Sequence, residues 1–197
     1  MQSHRHFNTL ALLLFASAAF ADLKPWHVTG LRTWQPSGRP GSDPHWYDYV
    51  NISNPDPTQG VPDTRGKVYC KIVWVYPDVP YNQVLDCEIV DTITTTPIPW
   101  AWTVELLMGD AGSYPVSNFD LRWRAASTEQ PYGIAGDVEI WTGTGHFEAG
   151  RNLDYLCAAS GFCSGALKAA STPFLINVTS VSCYGTLEEA LHGINCD

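Results

Sequence analysis

The chain is poor in basic residues, with 11 Lys and Arg against 20 Asp and Glu and a formal net charge of −9 over 197 residues. This balance argues against a protein that binds nucleic acid or an anionic membrane surface, because both attract basic surfaces. The sequence also lacks internal repeats, low-complexity tracts and interdomain linkers. At this length, one domain with a sizeable core is predicted.

Long apolar runs are missing after residue 20, so no membrane-spanning helix is predicted. The one apolar run, Leu10 to Phe20, follows Arg5 and ends in Ala19-Phe20-Ala21. A basic start, a short apolar core and an A-x-A site are typical of a signal peptide. We therefore expect residues 1–21 to be a signal peptide and residues 22–197 to form a single β domain that is secreted and extracellular.

Complete catalytic and metal-binding patterns are also missing. The histidines after residue 21 do not fall at H-x-H or H-E-x-x-H spacing, so neither a metal site nor a cofactor is predicted. Asp137 and Glu139 place two carboxylates on one face of a predicted strand, as in some β-jelly-roll glycosidases. The further glutamate that such a motif carries on that strand face is absent. We assign no catalytic residue, and an enzyme is the less favoured interpretation.

Cysteine is present in an even number, which in a secreted chain predicts a full set of three disulfides. The six residues are Cys70, Cys87, Cys157, Cys163, Cys183 and Cys196. We expect the neighbours to pair, 70 with 87, 157 with 163, and 183 with 196. The crossed alternative, 157 with 183 and 163 with 196, stays open. The sequons that begin at Asn51 and Asn177 predict N-glycosylation at both positions.

The segment from Gly66 to Val90 is the most informative part of the chain. It predicts two antiparallel strands that are joined by a turn at Pro77-Asp78-Val79-Pro80 and linked by a Cys70–Cys87 bridge. If the two cysteines face each other, their register fixes the other facing residues. The predicted pairs are Val68 with Ile89, Ile72 with Leu85, and Lys71 with Asp86.

Alternating apolar and polar residues predict further strands. These lie at residues 26–34, with a bulge at Gly30, and at residues 45–53, 100–108, 119–124 and 172–184, with one more starting at residue 137. The glycines that follow Ile140 predict a bend or loop. Residues 153–170 are predicted to hold one or two helical turns, capped by Ser164.

The C-terminus carries a T-x-x-E capping box at Thr186 and Glu189, followed by Gly193. This pattern predicts a short helix that ends at the glycine. The predicted fold class is therefore mainly β, an antiparallel β-sandwich or barrel with a short C-terminal helix and disulfide bridges.

Tryptophan is abundant, with eight residues in the chain. Most are expected in the core, where aromatic rings fill a sandwich well. Trp100 and Trp102 follow the segment TTTPIP, where a sheet edge could expose them. Core packing is favoured for this pair as well, but if exposed they would be ligand-binding residues that stack on a sugar or anchor a protein partner.

These features together resemble a family. The signal peptide, the WHVTGL strand, the YVNISNPDP strand and loop, and the hairpin with Cys70 and Cys87 resemble small secreted proteins of filamentous fungi. More loosely, they are similar to the Alternaria major-allergen-like β-barrel family, over roughly residues 26–88. The later cysteines do not follow that family's second bridge. The resemblance implies a non-enzymatic β-barrel that acts outside the cell as an elicitor or effector bound to a host protein.

We expect a secreted, non-enzymatic binding protein, effector- or elicitor-like, whose partner is an extracellular host or cell-wall protein or glycan. Its binding surface is expected on the loops at residues 35–44 and 54–65 or around Trp100. The alternative is a carbohydrate-active protein, either a lectin-like module that uses exposed tryptophan or a glycoside hydrolase that uses Asp137 and Glu139.

Overall fold

A computed structural model describes residues 23–55, 67–90, 101–109, 114–126 and 134–196. The predicted signal peptide and Trp100 lie outside these ranges. The described residues form two antiparallel sheets that enclose a shared core and do not close into a barrel. The predicted β class is therefore confirmed, and of its two forms the structure has the sandwich.

Twelve strands and one short helix follow one another along the described chain. They are β1 (Trp26–Gln35), β2 (His45–Ser53), β3 (Lys67–Val75), β4 (Val84–Asp86), β5 (Glu88–Val90), β6 (Trp102–Leu107), β7 (Asn118–Ala126), β8 (Gly136–Glu148), β9 (Leu153–Cys157), β10 (Cys163–Leu167), β11 (Phe174–Ile176), β12 (Val178–Gly185) and α1 (Leu187–Leu191).

The strands divide between two sheets. Sheet A has the order β5-β3-β2-β1-β10-β9, and β11 pairs with the start of β1. Sheet B has the order β12-β8-β7-β6-β4. The predicted bulge at Gly30 is present, because the register between β1 and β2 shifts between Val28 and Gly30.

Alternation along each strand builds the core, because successive side chains point to opposite faces of a sheet. In β7 the buried residues Phe119, Leu121 and Trp123 alternate with half-buried polar ones. In β2 the buried residues are Trp46, Asp48, Val50 and Ile52, all facing sheet B. One of them is a carboxylate, which the sequence pattern alone would place on the outside.

The predicted hairpin is correct in one half and wrong in the other. Cys70 and Cys87 form a disulfide, and Val68 pairs with Ile89 as expected. The pairs of Lys71 with Asp86 and of Ile72 with Leu85 do not form, because β4 pairs with β6 of sheet B. The returning strand changes sheets at Cys87, whose amide donates a hydrogen bond to the Trp102 carbonyl at 2.8 Å.

Two other local predictions are corrected. Strand β8 runs through Gly143 and Gly145 without a loop, because Ile176 lies directly against both glycines and occupies the space of a side chain. Residues 153–170 form the β9–β10 hairpin and not helical turns, apart from one 3-10 turn at Ala169–Ser171. The last predicted strand is divided into β11 in sheet A and β12 in sheet B.

The C-terminal helix is confirmed with its cap. The Thr186 hydroxyl accepts a hydrogen bond from the Glu189 amide at 3.3 Å, and the Glu189 carboxylate accepts one from the Thr186 amide at 2.8 Å. Gly193 follows the helix with a φ of 76°, which glycine adopts without strain. Cys183–Cys196 and Cys157–Cys163 are bridged, so the neighbour pairing is confirmed. No helix among the described residues is long and apolar enough to cross a membrane.

Candidate functional site

The two candidate carboxylates lie on the surface of sheet B. Asp137 and Glu139 are exposed residues of β8, opposite Tyr184 and Ser182 of the edge strand β12. Within the described ranges, neither of the two carboxylates makes a hydrogen bond or an ion pair. An acid catalyst of glycoside hydrolysis needs a desolvated carboxyl group. The exposed position of this pair does not provide that environment.

Trp102 is not an exposed ligand-binding residue. Its side chain is 1 % exposed, and its ring centroid lies 4.5 Å from that of Trp26 in the core between the sheets. Since Trp100 lies outside the described residues, only Trp102 is placed, and its position corrects the exposed alternative in favour of core packing. Among the described residues, no three His, Cys, Asp or Glu side chains come together as metal ligands.

The two sequon asparagines occupy different surroundings. Asn177 is exposed between β11 and β12. Asn51 is half-buried in β2, on the side of sheet A that faces away from sheet B, opposite Tyr69 of β3. A glycan on Asn51 would project beside Tyr69, whereas one on Asn177 would project from the crossing between the sheets. Glycosylation of either residue stays a prediction.

A stack of tyrosines dominates the outer side of sheet A. The ring of Tyr49 lies between Tyr47 and Tyr69, with centroids at 5.6 and 5.8 Å and planes inclined by only 10° and 20°. Lys71, directly opposite Tyr49 in β3, places its Nζ 5.5 Å from the Tyr47 centroid and 5.7 Å from that of Tyr49. The three rings therefore lie beside one another in near-parallel planes, and Lys71 adds cation–π contacts to Tyr47 and Tyr49.

The end of the stack is anchored by Asp43. Its carboxylate accepts a hydrogen bond from the Tyr47 hydroxyl at 2.6 Å, and its other oxygen lies 2.6 Å from Nδ1 of His45. The Tyr47 hydroxyl and the His45 amide lower the pKa of Asp43 to about 2, and the bond to Asp43 raises the pKa of Tyr47 to about 12. The Asp43 carboxylate therefore holds the Tyr47 hydroxyl at this end of the stack.

Trp34 continues this surface toward the other edge of sheet A. It is 44 % exposed, pairs with Tyr47 of β2, and contacts Phe162 edge-on at a centroid distance of 4.3 Å. Register places Val73, Tyr47, Trp34, Ser164 and Leu156 in one row across five neighbouring strands. At about 4.8 Å between strands, the row is about 19 Å long.

A second row, parallel to the first, places two cations on the central strands. It joins Lys71, Tyr49 and Arg32 across β3, β2 and β1, and continues through Ala166 to the exposed Asp154 of the edge strand β9. We call the outward surface formed by the first row, by these three central residues of the second row and by Tyr69 the aromatic face; its side chains are Arg32, Trp34, Tyr47, Tyr49, Tyr69, Lys71, Val73, Leu156 and Ser164.

The outer side of sheet B is more polar than the aromatic face of sheet A. Glu105 is buried there between Arg124 at 3.1 Å and Arg122 at 3.4 Å, and His146 lies 2.8 Å from Asp120. These side chains satisfy one another in ion pairs and leave a polar surface. Within the described ranges, sheet B also exposes the aromatic side chain of Tyr184 in its edge strand β12, but the stacked rings lie on sheet A.

The sequence pattern did not identify the aromatic face. The strand HWYDYVNIS was recognised as aromatic, but its inward side is ambiguous, because Asp48 shares a face with Trp46 and Val50. The outward set His45, Tyr47, Tyr49 and Asn51 could have been found from the alternation once that face was assigned to the core.

Comparison with known proteins gives no relative on which a function could be based: no family model, curated protein or solved structure matches the chain. The fold and the aromatic face define a disulfide-bridged β-sandwich with a stack of aromatic rings on the outer side of sheet A. The similarity to the Alternaria major-allergen-like family stays a prediction from residues 26–88.

Proposed function

We propose that the protein is a secreted, non-enzymatic binding protein of the effector or elicitor type, which contacts an extracellular protein partner through the aromatic face. The observation that carries the proposal is the exposed row from Val73 to Leu156 with Trp34 at its centre. Tyrosine, tryptophan and arginine are the residues enriched at the centres of protein interfaces.

The stack favours protein recognition over sugar stacking. A sugar binds an aromatic residue through an open ring face, but the ring of Tyr49 is already stacked in near-parallel planes with Tyr47 and Tyr69. Tyrosine side chains make apolar contacts and hydrogen bonds with a protein partner at little cost in side-chain entropy. The rings are already ordered without a partner, so binding has less conformational freedom to remove.

Charge favours a partner with an acidic contact surface. The whole chain has a formal net charge of −9, whereas the aromatic face carries Lys71 and Arg32 on its central strands, and the same row reaches a carboxylate, Asp154, only at the edge strand β9. Carboxylates on the partner would pair with these two cations at the centre of the contact. Such charge complementarity raises association rates and selects among partners.

Capture from extracellular fluid with matched variants tests the proposal. The wild type, Trp34→Ala and Tyr49→Ala are compared with Thr144→Ala, a change on the exposed outer side of sheet B. Removal of a central anchor is expected to weaken binding by about 30-fold or more, since interface hot spots contribute about 2 kcal/mol. Thermal unfolding of each variant verifies that the fold is kept.

The control distinguishes the aromatic face from other surfaces. If all four proteins capture the same partners with equal affinity, the aromatic face is not the binding surface. A glycan array with the same proteins tests the carbohydrate alternative. Sugar binding that depends on Trp34, without a protein partner, would replace the proposed function with a lectin-like one.

A further inference from the structure

Asp48 is the one residue on the buried side of β2 that has an ionisable side chain. It is 0 % exposed and lies on the inner side of sheet A, paired with Thr33 of β1 and Ile72 of β3. Trp46 and Val50 flank it on the same face and belong to the core. A carboxyl group therefore occupies a position that the rest of the strand gives to apolar side chains.

Neither oxygen of Asp48 has a hydrogen-bond partner among the described residues. No lysine, arginine or histidine there offsets its charge, and burial is the cause that raises its pKa well above the ordinary value. A buried carboxylate without donors or a counter-ion is strongly disfavoured, so such a group stays protonated to higher pH.

The titratable groups that face Asp48 from other parts of the sandwich are tyrosines. Burial, and then the charge of Asp48, raise the pKa of Tyr81, which follows β3. Burial raises the pKa of Tyr155 in β9 to about 12, with contributions from Tyr114 and Asp48. The neighbours on β1 and β3, Thr33 and Ile72, do not ionise. A tyrosine is neutral below its pKa and negative above it, so these residues supply no positive charge to Asp48 at any pH.

Asp48 is also adjacent in sequence to the centre of the aromatic face. Tyr47 and Tyr49 flank it and point outward from the same strand. Strand β2 is held between β1 and β3, and Tyr49 pairs with Arg32 on one side and Lys71 on the other. Any movement of β2 that brings water to Asp48 must therefore disturb the stacked rings outside.

We propose that Asp48 is a pH-sensitive switch inside the sandwich: neutral in acid, where the sheets close around it, and ionised at higher pH, where β2 and the aromatic face that it carries loosen. The loosening itself does not depend on the proposed function. Its consequence for partner binding does rest on that function, which the switch would restrict to acidic surroundings.

The direction of the pH effect follows from proton linkage. In the unfolded chain the aspartate loses its proton near its ordinary pKa of about 3.9, whereas the folded chain retains it to higher pH. Between the pKa of Asp48 in the unfolded chain and its higher pKa in the folded chain, only the folded state carries the proton, so raising the pH favours unfolding. One proton gives up to about a tenfold increase in the unfolding equilibrium constant per pH unit.

Denaturant unfolding between pH 5 and pH 8 tests the switch without a partner. The wild type is compared with Asp48→Asn, which removes the ionisation, with Asp48→Leu, which fills the site with an apolar side chain, and with Asp154→Asn, an exposed aspartate of β9. The unfolding constant should rise with pH in the wild type and in Asp154→Asn. For each pH unit, the unfolding constant of either Asp48 variant should increase by a factor about ten times smaller than that of the wild type. This difference should end at the pH at which Asp48 of the folded wild type ionises.

Hydrogen exchange locates the loosening. Amide protection in β2, corrected for the intrinsic effect of pH, should fall between pH 5 and pH 8 by about tenfold more than protection in β7 of sheet B. This difference should disappear in Asp48→Asn. An unfolding constant that does not change with pH in the wild type, or a pH dependence retained in both Asp48 variants, would overturn the proposal. Equal loss of protection in β2 and β7 would overturn the assignment to β2.

Binding through the aromatic face and the Asp48 switch can be refuted independently of each other. If Trp34→Ala binds like the wild type while the Asp48 effect is present, the switch stands and the binding surface is wrong. If binding depends on Trp34 but is equal at pH 5 and pH 8, the aromatic face stands and the switch does not control it.

Discussion

Removal of the Cys70–Cys87 bridge should destabilise this sandwich more than removal of any bridge that closes a short hairpin. The bridge closes a loop with a sequence separation of 17, for which the chain-entropy relation gives about 3 kcal/mol. Both cysteines are buried in the core cluster. Cys70 belongs to sheet A, while the Cys87 amide bonds to sheet B, so the bridge also joins the two sheets.

The perturbation is the double variant Cys70→Ala and Cys87→Ala, measured by thermal unfolding after mass spectrometry has verified the two other bridges. For a chain of this size, about 3 kcal/mol corresponds to a Tm lowered by about 6–12 °C. The matched control is Cys157→Ala with Cys163→Ala. That bridge has a separation of 6, for which the same relation gives about 2 kcal/mol.

The comparison between the two double variants tests whether the Cys70–Cys87 bridge stabilises the sandwich more than the Cys157–Cys163 bridge does. The Cys70–Cys87 variant should melt at least about 2–4 °C below the control, because closing its longer loop contributes about 1 kcal/mol more to stability. Removal of this buried bridge also leaves space in the core. An equal decrease in the two variants, or an unchanged Tm in the first, would refute the argument that this bridge couples the sheets.

Two further predictions concern local packing and the helix cap. Gly143→Ala should lower the free energy of unfolding by about 1–3 kcal/mol, because the new Cβ would lie 2.5 Å from Cγ2 of Ile176, whereas the exposed change Thr144→Ala should have little effect. Thr186→Ala should cost about 1 kcal/mol by removing the N-cap of α1. Hydrogen bonds from Thr186 lower the pKa of Glu189, so the stabilisation by its carboxylate is present above the ordinary pKa of 4.5 and is lost as the pH falls through the lowered value. The Tm difference between the wild type and Glu189→Gln should therefore be larger at pH 7 than at pH 3, and a constant difference would contradict this interpretation.

The parts of the fold that depend on local chemistry could be predicted from the sequence. Alternation defined β1, β2 and β7, the capping box defined α1, and the cysteine spacing defined the bridges. The partner of β4 could not be predicted in this way, because Val84, Leu85 and Asp86 are as compatible with an edge beside β6 as with one beside β3. Only the packing of the two sheets selects between these edges.

The aromatic face and the course of β8 were harder to predict because Asp48 and Gly143 break the local patterns of β2 and β8. Asp48 is a charged residue on the buried side of β2, so polarity does not reveal which side of that strand faces outward. Gly143 looks like a strand breaker, but it provides space for Ile176 from another strand. In both cases the deciding neighbour is distant in sequence, and a local pattern contains no information about it.

Within the part of the chain that the structure describes, the chain passes from one sheet to the other without a loop at two places, Cys87 between β4 and β5 and Asn177 between β11 and β12. A shift of one sheet over the other by two residues would therefore break the hydrogen bonds of a strand next to one of these crossings. The offset between the sheets is thus set by a few covalently continuous residues, and not by the side chains on the outer surfaces. Substitutions on the aromatic face can accordingly alter the outer surface of sheet A while the alignment of the core stays fixed.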